Sequence, residues 1–131
     1  MTGDVPEESE VFQFILDRID SVPHLEALLL LWNSRPTKWS SKELVARLYV
    51  ETEVARKLLV DLSRGQALVA SSGPPDQYWY ESRFPETDRL VAAVDAIYRT
   101  QIVRVSTMIH SKASSAVRDF ARAFRFTKER E

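Results

Sequence analysis

Thr52, Glu53, Arg56 and Lys57 are spaced so that two turns of helix would present a hydroxyl, a carboxylate and two cations to solvent. Arg and Lys neutralise phosphates, Arg reads guanine through paired hydrogen bonds, and the N–H groups at a helix start accept phosphate oxygens. Ser40 and Lys42 put a second hydroxyl and cation at the head of the preceding stretch. Glu51 and Glu53 stand where a polyanion would approach, although a Glu can also accept from cytosine. The plainer reading is a solvated helix face with pairs such as Glu53 and Lys57, worth only a few tenths of a kcal/mol.

A second basic group, Arg118, Arg122, Arg125 and Lys128, lies near the C-terminus with Arg130. It reads as a second phosphate-binding surface, as a docking face for an acidic partner such as residues 1–20 of another subunit, or as the polar side of an amphipathic helix. Phe120, Phe124 and Phe126 beside it suit core or dimer contacts better than base stacking.

Catalytic chemistry has little to build on. His24 and His110 are the only histidines, and neither has a carboxylate or a second His at ligand spacing, so no metal site is expected and each reads as a surface or helix-end residue. Gly3, Gly65 and Gly73 are too few for a phosphate-cradling loop, and no Ser sits in a nucleophile elbow. With no cysteine there is neither a disulfide framework nor a thiolate metal site. The expectation is a chain that is not an enzyme, with no catalytic residues and no cofactor.

The elements that must position these residues follow from periodicity. Val11, Phe12, Ile15, Leu16 and Ile19 recur at helical spacing and predict a helix over 8–20, after a polar leader over 1–10. Ser21 and Pro23 mark the start of a core helix over 22–33 with Leu25, Leu28, Leu29 and Trp32 inward. Arg35-Pro36 ends it, and residues 37–39 have room for a short strand. Ser40 and Glu43 have capping-box spacing, so a helix starts near Ser41 with Leu44, Val45 and Leu48 on its inner face. Residues 49–52 turn the chain, Thr52 caps the next helix, and Val54, Ala55, Leu58, Leu59 and Leu62 mark its core side. Gly65 occupies the place of a left-handed helix stop. Strands over 67–70 and 78–82 flank a breaker-rich tip at 71–77. A long helix over 86–110 carries an apolar stripe from Leu90 to Ile109, which a second copy of the chain could cover, and a terminal helix over 113–126 follows.

Residues 39–48 together with 62–69 resemble the core of winged helix-turn-helix proteins of the MarR and PadR type: a capped helix, a second helix, and a basic-Gly turn into a strand. The likeness covers about a third of the chain and is specific to the fold, not to one family. It implies that the second helix enters the major groove, that the hairpin wing touches backbone or minor groove, and that added helices dimerise. On this chain the implied DNA-facing positions are Ser40, Lys42, Thr52, Glu53, Arg56 and Lys57. The expected fold is mainly α, a winged helix-turn-helix over 11–84 with a small β-hairpin wing and a helical, dimerising extension over 85–131. The expected role is a DNA-binding transcriptional regulator acting on double-stranded DNA as a homodimer; the alternative is a protein–protein interaction module on the same fold. The aromatic run Tyr78-Trp79-Tyr80 reads most simply as a wing strand with one face on the core, and otherwise as the lining of a small-ligand pocket.

At 131 residues the chain has the length of one ordinary domain. Its net charge of −1 is unevenly spread: residues 1–20 carry six acids and one base, residues 35–65 seven bases and four acids, and residues 99–131 eight bases and three acids. Positive charge therefore gathers around the paired helices and the C-terminal region, as a partner rich in phosphate would require. Residues 1–10 lack the basic start of a secretory signal, and the apolar run at 28–32 is far short of the roughly 20 residues that span a bilayer. A cytoplasmic protein that does not enter the membrane is expected.

Overall fold

The computed structural model describes residues 6–65, 68–74 and 76–112. These residues are mainly helical, with one small antiparallel hairpin. Helix α1 spans Glu8–Arg18, α2 Val22–Asn33, α3 Ser41–Leu48, α4 Thr52–Val60 and α5 Pro85–Thr100; a sixth helix, α6, is described over 102–112. Strands β1 (Val69–Ser72) and β2 (Gln77–Tyr80) pair with Val69 opposite Tyr80 and Ser72 opposite Gln77.

Local chemistry fixes the two best-defined starts. Ser21 Oγ accepts from the His24 amide at 3.3 Å at the head of α2, where Pro23 loses no internal bond. At α3 both halves of the capping box form: Ser40 Oγ accepts from Glu43 N at 3.1 Å, and Glu43 Oε1 accepts from Ser40 N at 2.9 Å. Helix α2 is the centre of the core, with Leu25, Ala27, Leu28 and Leu31 fully buried. Strand β2 and helices α3, α4 and α5 pack on it, α1 lies against α5, and one cluster of buried side chains runs from Val11 to Ile109.

Several expected details are corrected. Helix α1 stops at Arg18 because Ile19 is extended and its side chain turns into the core; Phe14 is buried and Leu16 only half-buried. Residues 37–39 form no strand, but Trp39 makes a single bridge to Tyr78, each amide donating to the other's carbonyl at 2.7 Å. Thr52 is not the cap of α4: Glu51 holds that position without a side-chain cap bond, and Thr52 is the first helical residue. Val54 points outward at 41% exposure rather than into the core. Gly65 does not adopt the left-handed stop, since residues 61–65 continue α4 as one wider π-helical turn. The left-handed residue is Tyr49, at φ 56° and ψ 42°, where α3 ends.

The strands also pair two residues nearer the tip than expected on the β1 side, because the ladder carries Ser71 and Ser72 opposite Tyr78 and Gln77 despite their polarity. Gly73 is required at the tip: a Cβ there would stand 2.9 Å from the Asp76 backbone. The expected single helix over 86–110 is two helices, broken at Gln101 (φ −133°, ψ 47°) with neither Pro nor Gly at the break. The break lets α6 turn back along α1. Arg104 binds Glu8 at 2.8 Å and sits over the Phe12 ring, while Lys112 donates to the Ile19 carbonyl at 3.1 Å. Val91, Val94, Val105 and Ile109 are thereby buried within the chain, so most of the stripe assigned to a second copy is covered internally; Ile102 and Val103 stay exposed. No helix among the described residues is long and apolar enough to cross a membrane.

Candidate nucleic-acid interface

Helix α4 divides cleanly. Ala55, Leu58 and Leu59 are buried, and Thr52, Glu53, Arg56 and Lys57 are all exposed on the other side. The inner three side chains fix the helix on α2 and α3, so the outer four face solvent on a rigid support. Of the candidate site residues, these four and Lys42 stand on accessible surface, while Ser40 is half-buried.

Their charges are partly spent. Arg56 Nη1 lies 3.0 Å from Glu53 Oε1, and Lys57 Nζ lies 3.2 Å from Asp61 Oδ2. The pair anticipated between Glu53 and Lys57 is thus replaced by two others. Exposed i,i+3 and i,i+4 pairs are worth at most about 0.5 kcal/mol, so either cation can be drawn to a phosphate at small cost. The capping box commits the Ser40 amide to Glu43 and uses its hydroxyl oxygen as an acceptor, which leaves only the hydroxyl proton for a phosphate. Lys42 makes no ion pair among the described residues.

Each of the three tryptophans carries a cation over its ring: Arg35 over Trp32 at 3.4 Å, Lys38 over Trp79 at 4.6 Å, and Arg47 over Trp39 at 5.4 Å. Such stacking is worth about 0.5–1 kcal/mol at exposed sites and leaves the charge unneutralised. Sequence reasoning missed Lys38 and Arg47, because Lys38 meets Trp79 only once the Trp39–Tyr78 bridge has formed. The hairpin adds no cation, since residues 68–80 contain neither Lys nor Arg.

The aromatic strand packs inward instead of lining an open pocket. Tyr78 and Tyr80 are buried, and Tyr80 meets Trp32 edge-on at 4.9 Å. Its hydroxyl donates to Asp88 at 2.7 Å, and Ser82 donates to the same oxygen at 2.9 Å, tying β2 to the first turn of α5. Burial, and then the Asp88 carboxylate, push the Tyr80 hydroxyl well above the usual phenol range.

One constellation was not visible in the sequence. His24 Nδ1 lies 2.6 Å from Ser21 Oγ and its Nε2 lies 2.8 Å from Asp61 Oδ2, although Asp61 is 37 positions away. The row has the composition of a nucleophilic relay, but its bonds are those of a joint. Ser21 Oγ caps α2, and Asp61 lies where α4 widens, so His24 locks the start of one helix to the end of another. The His24 hydrogen bond holds the Asp61 carboxyl below its ordinary value near 3.8, against the upward push of partial burial, with Lys57 adding to the effect. Among the described residues no group of three or more acids or histidines is placed to hold a metal. The second basic patch, Arg118, Arg122, Arg125 and Lys128, lies outside the described residues.

No protein-family model matches the chain, no curated protein matches it, and no solved structure matches it. The functional reading rests on this chain's own residues.

Proposed function

We propose that this chain is a DNA-binding transcriptional regulator built on a winged helix-turn-helix, with α3 and α4 as the paired helices and β1–β2 as the wing. The observation that carries the reading is α4 itself: three apolar side chains seat it in the core, and Thr52, Glu53, Arg56 and Lys57 face outward along its other side. Arg56 and Lys57 would exchange their side-chain acids for backbone phosphates, and Lys42 would supply a further cation from α3. In a gel shift on mixed genomic fragments at two salt concentrations, the wild type should be retained more strongly at low salt. Arg56→Ala with Lys57→Ala should weaken retention and flatten its salt dependence by about 0.9 for each phosphate left without its cation. Retention that ignores salt and both substitutions would remove the assignment.

A second reading is a protein-interaction module on the same fold. It is favoured by the two acids at the start of α4 and by the pairing of both α4 cations. Absence of duplex retention at any salt would select it.

A further inference from the structure

The turn between α3 and α4 holds an unusual residue. Tyr49 ends α3 with φ 56°, a left-handed backbone that glycine or asparagine adopts with little strain and tyrosine does not. It gains no packing in return, since its side chain is 92% exposed and its hydroxyl has no hydrogen-bond partner among the described residues. Strain kept at a fully exposed aromatic points to a role outside the fold.

The neighbouring residues indicate what that role is. Residues 49–54 read Tyr-Val-Glu-Thr-Glu-Val. Within these six residues the side-chain donors are the hydroxyls of Tyr49 and Thr52 and the charged groups are acids, with Arg56 reaching back to Glu53 from the next turn. Phosphate contacts from Tyr and Thr hydroxyls are common in protein–DNA interfaces and fix register without adding positive charge. Within this segment only Val54 joins Tyr49 as an exposed large hydrophobic residue, far less than the contiguous apolar patch that marks a protein partner's site.

We infer that Tyr49 is a DNA-contacting residue that binds the duplex backbone through an uncharged hydrogen bond, positioning the start of α4 beside Glu51 and Glu53. The inference rests on the duplex-binding reading above. It carries a signature that no Lys or Arg contact has: a hydroxyl releases no counterion, so removing it lowers affinity by the same factor at every salt concentration.

The test is fluorescence anisotropy of a labelled mixed-sequence duplex over a salt series, with melting curves of each variant. Tyr49→Phe should weaken binding about tenfold, the size of one hydrogen bond to a charged group, with an unchanged salt slope and an unchanged melting temperature. Tyr49→Gly should weaken binding at least as much while raising the melting temperature by a few degrees, which separates contact from folding. Arg56→Ala with Lys57→Ala should instead flatten the slope. If the wild type binds and both Tyr49 variants bind equally well, the inference is overturned and the duplex reading stands. If the wild type shows no binding at low salt, the duplex reading itself fails and the inference falls with it.

Discussion

Asp61 shows how one side chain can serve two neighbours. It accepts from His24 and from Lys57, and both interactions favour the ionised carboxylate, which is why its pKa is depressed. A group whose folded pKa is lowered stabilises the protein above its unfolded pKa, and that contribution is lost as pH falls through the folded value. The Asp61 contribution should accordingly be complete well above the ordinary value of 3.8, decline as pH falls past it, and be gone only below the lowered folded value. Asp61→Asn should lower the urea midpoint at neutral pH and reduce the further loss on acidification below pH 4; an identical acid profile in both proteins would reject this role. The residue pattern alone gave no sign of the joint, because His24 and Asp61 meet only when α2 and α4 pack. The left-handed turn at Tyr49 was equally hidden, since the usual marker of that backbone is a glycine and none is present there.

Helix boundaries were legible wherever the determinant is local. Ser21 with Pro23 and Ser40 with Glu43 specify the starts of α2 and α3 through bonds that span three residues, and both helices begin where those residues place them. Helix α3 depends on this more than the others, because it has eight residues and only Leu44 fully buried. Ser40→Ala should therefore cost about 1 kcal/mol, seen as a lower urea midpoint with little change in slope. The end of α5 was not legible. Gln101 carries no helix-breaking chemistry, and the chain bends there because Val105 and Ile109 gain burial by turning back onto α1. Strand pairing was half legible: the aromatics of β2 were evident, whereas Ser71 and Ser72 join the ladder through backbone bonds that their side chains do not advertise.

Across the whole molecule, charge and apolar burial act together where α6 meets α1. The acidic N-terminal helix receives Arg104 at Glu8, and Lys112 at the Ile19 carbonyl and near Asp20, while Val105 and Ile109 fill the space beneath. The uneven charge seen in the sequence is thus partly balanced inside one chain. Ile109→Ala should cost about 2–4 kcal/mol, because the residue is 1% exposed in a packed cluster. The loss should be independent of protein concentration, as measured by urea unfolding over a wide dilution range. A loss that grows on dilution would mean that Ile109 packs against another copy instead.

The reciprocal bonds between Trp39 and Tyr78 tie the approach to α3 to the hairpin, although the two segments are distant along the chain. Neither amide can be freed by fraying of a single helix end. In heavy water the two protons should therefore wash out at one shared rate, and peeling the flap away from the body should release both together.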